Sequence, residues 1–283
     1  MAEILYGAPV SDAISEKLKK RTDALKERGV NPTLAIIRLG EKPGDIYYER
    51  GAMAKCEAAG VSVKNIVLPE SCAQDELISI IKGINEDKSI HGCLLLRPLP
   101  EGIDELRVCE TLKTEKDVDC ITIPSLGAVF TESGEGYPPC TAEACIDMLE
   151  HYGIELRGKL CVVIGRSLVA GKPVSMMLQA KDATVIMCHS KTENLKELCK
   201  KADLIVCAVG KAGFLDESFV SHEQTVIDIG INRNAEGKMC GDADFEKLSQ
   251  IVRAITPVPG GVGRITSSVL VKHLVEAAEK SAE

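Results

Sequence analysis

Short aliphatic segments alternate with helical segments along the whole chain, and this rhythm limits the folds that are available. In the first half, TLAIIRL (33–39), VSVKNIVL (61–68) and HGCLLLR (91–97) read as strands. The second half repeats the pattern, with strands expected at 160–165, 183–188, 203–209, 225–230 and 251–256. Continuous aliphatic strands separated by helices are typical of parallel sheets that are covered by helices. The sequence therefore predicts an α/β fold with two α/β domains.

Helices are expected between these strands. The apolar face of a first helix is formed by Val10, Ile14, Leu18 and Leu25. Further helices are expected at 46–59, closed by Gly60, and at 74–86. Thr141 is expected to be the N-cap of a helix that ends at His151.

The domain boundaries are placed where the composition changes. The segment ESGEGYPPC (132–140) interrupts the rhythm with Gly and Pro, and the chain ends in an amphipathic segment without a strand partner. A length of 283 residues allows two domains of ordinary size. We predict one domain at 1–140 and another at 141–266, with a C-terminal helix at 267–283 that packs back on the first.

Charge and cysteine usage limit the classes of function. The net charge of −8 argues against a surface for nucleic acid or anionic membrane. The N-terminus lacks the features of a secretory signal, and no apolar run approaches the ~20 residues of a membrane span. The twelve cysteines include no Cys-x-x-Cys pair, and several lie singly in apolar runs. We expect a cytoplasmic protein with reduced cysteines and no metal site.

The segment LCVVIGRSLVAGKP (160–173) combines a strand, a glycine turn and the start of a helix. Glycines let a backbone approach phosphate groups, and a helix N-terminus offers unpaired N–H groups and a positive dipole end. Five residues separate Gly165 from Gly171, which differs from the usual Gly-x-Gly-x-x-Gly pattern. The segment predicts a Rossmann-like dinucleotide-binding domain, and an ordinary βα turn remains the alternative reading.

The end of the following strand bears on the type of dinucleotide. An NAD site usually places Asp or Glu there, whereas an NADP site avoids an acid. The chain has Cys-His-Ser-Lys at 188–191, and Arg166 adds a cation that can face a 2′-phosphate. NADP is therefore favoured, and NAD remains possible. His189 is interpreted as a binding or packing residue rather than as a general acid.

A segment dense in Pro and Gly, ITPVPGGVGRIT (255–266), resembles the most distinctive signature of the FolD family, the bifunctional methylenetetrahydrofolate dehydrogenases/methenyltetrahydrofolate cyclohydrolases. Other segments are similar to that family in the same order and spacing, and the resemblance covers essentially the whole chain. They are EKPGDIYYERGAMAKCEAAG (41–60), LRPLPEGID (96–104), KDVDC (116–120), PPCTAEA (138–144), VVIGRSLVAGKPVSMML (162–178) and TVIDIGINR (225–233).

The resemblance implies that the first domain binds tetrahydrofolate, that the second binds the dinucleotide, and that the protein is a homodimer. It places Tyr48 on the folate, and Asp119 is the carboxylate that holds the pterin ring; these are the implied catalytic positions. The implied folate-binding residues are Tyr48, Leu96, Arg97, Pro98, Asp119, Pro259, Gly260 and Gly261. The candidate cofactor-binding residues are Gly165, Arg166, Ser167, Val169, Gly171, His189, Ser190, Gly210, Gly230, Ile231 and Thr266.

The chain departs from the family pattern at positions that carry chemistry. The family's catalytic lysine lies four residues after the tyrosine, where this chain has Ala52. Leu96 occupies the position of the family's glutamine, with Arg97 where leucine is usual. Arg264 replaces a proline, and Cys120 replaces a glycine.

These departures affect one of the family's two activities more than the other. Oxidation of the methylene group depends mainly on positioning, whereas hydrolysis of the methenyl cation needs proton transfer. We therefore predict a dehydrogenase with weak or absent cyclohydrolase activity, which a separate cyclohydrolase would complement. One alternative is a bifunctional enzyme in which Lys55 or Arg97 substitutes for the lost groups. Another is a non-catalytic paralogue that binds folate or nucleotide.

Arg97 and Arg264 add positive charge near the expected folate site. They are expected to grip an anionic part of the ligand, to contact carboxylates of the protein such as Asp119, or to extend into solvent. The sequence leaves these readings open.

Overall fold

A computed structural model describes residues 1–282, which divide into two compact units. The six-stranded unit comprises Met1–Asp12 and Pro139–Thr266. The three-stranded unit comprises Ala13–Pro138 and the residues from Ser267 onward. Each unit contains a parallel sheet and helices, so the predicted α/β class is confirmed.

The strands of the described residues follow the predicted rhythm, with three short additions. They are β1 (Glu3–Ile4), β2 (Thr33–Leu39), β3 (Ser62–Leu68), β4 (Gly92–Leu95), β5 (Leu160–Ile164), β6 (Thr184–Cys188), β7 (Leu204–Cys207), β8 (Thr225–Asp228), β9 (Asn232–Arg233), β10 (Met239–Cys240) and β11 (Ala254–Ile255). The two-residue strands β1, β9 and β10 are the additions.

The α-helices fill the connections between strands. They are α1 (Gly7–Glu27), α2 (Pro43–Ala59), α3 (Gln74–Glu86), α4 (Glu105–Cys109), α5 (Ile123–Thr131), α6 (Cys140–His151), α7 (Gly171–Gln179), α8 (Leu195–Lys201), α9 (Phe245–Leu248) and α10 (Thr266–Ser281). Single 3₁₀ turns occupy Thr114–Lys116 and Val262–Arg264.

The three-stranded sheet has the order β3-β2-β4, with all strands parallel. Ile37 of the central strand lies opposite Ile66 and Leu95. Helix α3 buries Leu77 and Ile81, which are one turn apart, in the core that also contains Ile37. This helical periodicity over a continuous aliphatic strand explains why the helix covers one face of the sheet.

The six-stranded sheet has the order β1-β11-β8-β7-β5-β6, and every neighbouring pair is parallel. The chain passes from β5 to β6 on one side and then to β7 on the other side of β5. The strand order therefore reverses between β5 and β7, which defines a topological switch point at their carboxyl ends.

Three features differ from the sequence-based expectations. Helix α6 begins at Cys140, and Pro139 is its N-cap, so the assignment of Thr141 as N-cap was wrong. The first turn closes on the Pro139 carbonyl, which accepts from the backbone N–H groups of Ala142 and Glu143. The strand expected at 251–256 is ordered as a strand only at Ala254–Ile255. The first twelve residues, expected in a 1–140 domain, group with the six-stranded unit because β1 pairs with β11.

Candidate active site

The glycine turn between β5 and α7 is shaped by two close backbone approaches. Gly165 has φ 137°, and a Cβ atom there would lie 2.4 Å from the carbonyl oxygen of Ala208. A Cβ atom at Gly171 would lie 2.3 Å from the carbonyl oxygen of Gly165. No side chain fits at either position, so both glycines are required by the packing of the turn. Because Ala208 follows β7, the turn lies at the switch point of the sheet.

This turn leads into a helix N-terminus that carries no acidic residue in its first turn. The positive end of the α7 dipole is therefore uncompensated by a nearby carboxylate on the helix. Arg166, Ser167 and Val169 are exposed on the turn. The Ser167 hydroxyl accepts from the backbone N–H of Ala170 at 3.2 Å. The predicted residues thus surround a helix N-terminus of the kind that binds phosphate.

The end of β6 lies beside the glycine turn, because the Gly165 N–H donates to the Cys188 carbonyl at 2.9 Å. His189 Nδ1 accepts from the backbone N–H of Lys191 at 3.2 Å, so the ring helps to hold this local turn. Ser190 and Lys191 are exposed, and residues 188–191 contain no carboxylate. The segment offers a hydroxyl and a cation where an NAD site would place an acid.

The loops after β7 and β8 carry further candidate residues. Gly210 has φ 68°, and the side chain of Ile231 is exposed. A Cβ atom at Gly230 would lie 2.3 Å from the Asp242 carboxyl carbon, so this glycine is also required by packing. Thr266 begins α10, and its hydroxyl donates to the Gly263 carbonyl at 3.3 Å.

Sequence reasoning missed two buried acids beneath these loops. Asp228 at the end of β8 and Asp242 after β10 are both buried. Burial raises the pKa of the Asp228 carboxyl to about 6, although backbone N–H groups of Ala243, Asp242 and Gly230 act in the opposite direction. An acid at the end of an otherwise aliphatic strand (TVID) was the signal that pointed to such a role.

Helix α2 carries the tyrosine implied to stack on folate. Pro43 is its first residue, a position where proline is favoured. Tyr48 is half-buried, and Ala52, one turn further along, is fully buried with none of its surface exposed. The position that the resemblance assigns to the family's lysine is therefore occupied by a small apolar side chain inside the protein.

A buried ion pair next to Tyr48 was also not foreseen. Arg38 of β2 donates from Nε to Glu49 of α2 at 2.6 Å, and the two side chains are only 10% and 8% exposed. Arg38 also donates to the Gly40 carbonyl, and Glu49 accepts from the Asn65 side chain at 3.1 Å. The pair therefore fixes α2 to the strands β2 and β3.

The segment after β4 contains the position that the resemblance assigns to the family's glutamine. Leu96 is buried, and Arg97 pairs with Glu105 at 3.3 Å. The other carboxylate oxygen of Glu105 accepts from the Leu99 N–H at 2.9 Å. The Arg97–Pro98 peptide bond is cis. The partner of Arg97 is therefore a carboxylate of the protein, although Glu105 takes the place of the Asp119 named as an example.

The two aspartates of KDVDC have different surroundings. Asp117 is fully buried and accepts from the backbone N–H groups of Ile121 and Thr122, both at 2.9 Å. Asp119 is half-buried. Cys120 adopts φ 59°, and burial raises the pKa of its thiol. Asp117 therefore organises the turn that carries Asp119.

The Pro- and Gly-rich segment belongs to the six-stranded unit. The Gly7 N–H donates to the Gly260 carbonyl at 2.8 Å, and a Cβ atom at Gly261 would lie 2.5 Å from the Pro257 carbonyl oxygen. Pro259, Gly260 and Gly261 thus form a tight loop, and Arg264 after it is exposed.

No group of three or more His, Cys, Asp or Glu side chains within residues 1–282 is placed to hold a metal ion. No helix in the described range has the length and hydropathy needed to cross a membrane.

A parallel sheet with a glycine turn at its switch point, beside a strand end without an acid, defines a Rossmann-like dinucleotide-binding domain. Two family descriptions match the chain. The tetrahydrofolate dehydrogenase/cyclohydrolase catalytic domain matches residues 5–119, and the NAD(P)-binding domain of the same family matches residues 139–282. The chain belongs to the tetrahydrofolate dehydrogenase/cyclohydrolase (FolD) family.

Individual relatives are similar to this chain over nearly its full length. The bifunctional protein FolD of Carboxydothermus hydrogenoformans is 46% identical over 281 residues, covering 99% of this chain and 98% of the relative. The structure of the bifunctional FolD of Campylobacter jejuni has a TM-score of 0.96 at 36% identity, covering 99% of each chain. The Trypanosoma brucei enzyme, solved with NADP and an inhibitor, has a TM-score of 0.93 at 31% identity, covering 99% of this chain and 98% of that one.

Proposed function

We propose that this protein oxidises 5,10-methylenetetrahydrofolate to 5,10-methenyltetrahydrofolate with NADP and has weak or no cyclohydrolase activity. The observation that carries the proposal is the burial of Ala52 and Leu96 at the positions of the family's lysine and glutamine. Neither side chain can exchange a proton with water. The dehydrogenase step does not need such a group, because its acceleration comes mainly from positioning.

The residues around the glycine turn fit a nicotinamide dinucleotide. The backbone at Gly165 and Gly171 leaves no room for a side chain, and α7 presents its N-terminus beside the turn. Arg166, Ser190 and Lys191 are exposed and would hold the 2′-phosphate of NADP. When bound, NADP supplies the acceptor for the hydride that leaves the methylene carbon of the folate.

The three-stranded unit supplies the folate contacts proposed for Tyr48 and Asp119, and the segment 259–261 of the six-stranded unit supplies others. Tyr48 would stack on the ring system, and Asp119 would accept hydrogen bonds from the pterin. The buried network of Asp117 and the buried pair of Arg38 with Glu49 hold the backbone next to each of these residues. The chain's own part in oxidation is therefore to orient the substrate.

Hydrolysis requires more than orientation. Water must be deprotonated as it adds to the methenyl carbon, and a positioned acid or base accelerates such a step by roughly a hundred- to ten-thousand-fold. Arg97 cannot replace the lost base, because a guanidinium remains protonated and this one is paired with Glu105. Lys55 follows Ala52 by three residues on α2 and is the remaining candidate for a substitute.

An absorbance time course with methylenetetrahydrofolate and NADP tests the proposal, with reduced cofactor and methenyl product followed together. We expect the methenyl product to accumulate in step with NADPH and to decay only at the rate of a protein-free control. NADPH formation without methenyl accumulation would show that hydrolysis survives. Binding of NADP without any turnover would instead support the non-catalytic alternative.

Restoring the missing groups provides a second test. The double variant Ala52→Lys/Leu96→Gln should hydrolyse added methenyl substrate faster than the unaltered chain. Ala54→Lys/Leu96→Gln is a matched control, because Ala54 is exposed on the same helix. No gain in a double variant that retains dehydrogenase activity would contradict the account of the lost cyclohydrolase.

The choice of cofactor is tested by comparing kcat/KM for NADP and NAD. Arg166→Ala should lower kcat/KM for NADP and leave that for NAD unchanged, because only NADP carries the 2′-phosphate. An equal effect on both cofactors would contradict the assignment of Arg166 to the 2′-phosphate.

A further inference from the structure

One fully buried carboxylate holds the loops that follow β7 and β8. Asp242 Oδ2 accepts from the backbone N–H groups of Val209 at 2.6 Å and Gly210 at 3.0 Å. Its Oδ1 accepts from the backbone N–H of Lys211 and from the Asn232 side-chain amide, both at 2.8 Å. Three successive backbone N–H groups directed at one anion form a nest, an arrangement that binds phosphates and carboxylates in other settings.

A second acid extends this network to the end of another strand. The Asp228 carboxylate accepts from the backbone N–H groups of Gly230 at 2.8 Å, Asp242 at 3.1 Å and Ala243 at 2.8 Å. The Asp228 backbone N–H donates to the Thr256 hydroxyl at 2.8 Å. The network therefore connects the segments that follow β7, β8 and β11.

The geometry at residue 242 requires a group that only accepts hydrogen bonds. Each oxygen of Asp242 faces two N–H donors, so an amide in its place would point its NH₂ group at two donors in either orientation. An apolar side chain would remove all four acceptors at once. A carboxylate satisfies the donors at both of its oxygens, because each oxygen only accepts hydrogen bonds.

The loops held in this way carry candidate cofactor residues. Gly210 lies in the nest, and Gly230 and Ile231 lie in the loop joined to it through Asn232. The start of the same loop, at Ala208, packs against the glycine turn at Gly165. Asp242 itself lies beneath the loop surface.

We propose that Asp242 is a positioning residue for the dinucleotide, and that its carboxylate fixes the loops after β7 and β8 in their binding conformation before the cofactor arrives. This inference rests on the proposed NADP-dependent function. A loop that is ordered in advance loses less conformational entropy on binding, so removal of the carboxylate weakens cofactor binding. Tyr48 and Asp119 belong to the other compact unit, so we expect their proposed folate contacts to remain.

The experiment compares Asp242→Asn and Asn232→Ala with the control Asp244→Asn. Asp244 caps α9 by accepting from the Lys247 N–H, so its loss removes a carboxylate of the same segment that does not contact these loops. NADPH affinity is measured by calorimetry, the KM for methylenetetrahydrofolate by kinetics, and amide hydrogen exchange at residues 209–211 by mass spectrometry or NMR.

We expect Asp242→Asn to raise the Kd for NADPH by about tenfold or more, since two charge-assisted hydrogen-bond pairs are disrupted. Asn232→Ala should give a smaller rise, and both variants should speed exchange at 209–211 and change the folate KM less than the Kd for NADPH. Asp244→Asn should change neither the Kd nor this exchange. If Asp242→Asn does not fold, Asn232→Ala decides the outcome.

Two negative results are distinguishable. If the unaltered protein does not bind NADPH, the proposed function is wrong, and this inference fails with it. If the unaltered protein binds NADPH and the folded variants bind it equally well, only the positioning role of Asp242 is overturned.

Discussion

The buried pair of Arg38 and Glu49 allows a quantitative prediction. Glu49→Gln keeps the shape of the side chain but leaves the Arg38 cation buried without its carboxylate partner, which lies at 2.6 Å. Removal of one member of a buried pair typically costs about 3–5 kcal/mol. For a unit of this size, a loss of that magnitude lowers the melting temperature by roughly 10 °C.

The assay is thermal unfolding followed by circular dichroism, with two matched variants. Glu16→Gln removes one member of the exposed pair with Lys20, and we expect no measurable shift because water screens that pair. The double variant Arg38→Met/Glu49→Leu removes both buried charges together and should recover most of the lost stability. Equal shifts for Glu49→Gln and Glu16→Gln would refute the reasoning, and so would a double variant that is no more stable than Glu49→Gln.

Three further outcomes are expected. Gly165→Ala should abolish NADPH binding measured by calorimetry, because its Cβ would meet the Ala208 carbonyl oxygen at 2.4 Å. The control Gly153→Ala should bind NADPH normally, because Gly153 also has a positive φ, 63°, but has open space around it. Burial raises the pKa of the Asp228 carboxyl from 3.8 to about 6, so carbon-13 NMR should show it titrating near pH 6. Its contribution to stability is full below pH 3.8 and is lost as the pH rises through 6. Titration near pH 4 would contradict this prediction. Of the twelve cysteines, all within the described range, Cys240 alone is not buried, so a thiol reagent should modify one site in the native protein and twelve after denaturation.

The long strands and their helices were predictable from the sequence, because most of these strands are runs of aliphatic residues that alternate with helical segments. The segment 33–39 was predicted with its observed ends. The two-residue strand β1 was not predictable, because it exists only through its pairing with Ala254 and Ile255, which are distant in the sequence. Local sequence carries no signal for such a pairing.

The candidate site likewise contains features that local sequence predicts and features that depend on distant partners. The glycine turn could be identified because a strand, two glycines and a helix start follow one another in the sequence, although the contact of Gly165 with Ala208 was visible only in the structure. The roles of Asp242 and Arg38 were not foreseen, since their partners lie elsewhere in the chain, as Val209 does for Asp242. The burial of Ala52 likewise required the structure, because the sequence only locates it one turn after Tyr48.

Each unit is built from two separate stretches of the chain, and this determines when it can fold during synthesis. The six-stranded unit needs β1 at the start of the chain and β11 after residue 250, and the three-stranded unit needs the residues from Ser267 onward. During translation, neither unit is complete until residues beyond 250 have left the ribosome. A ribosome-bound chain stalled at residue 138 would expose the surface that α10 covers in the complete unit. Chaperone binding is therefore expected to be strongest before α10 has been synthesised.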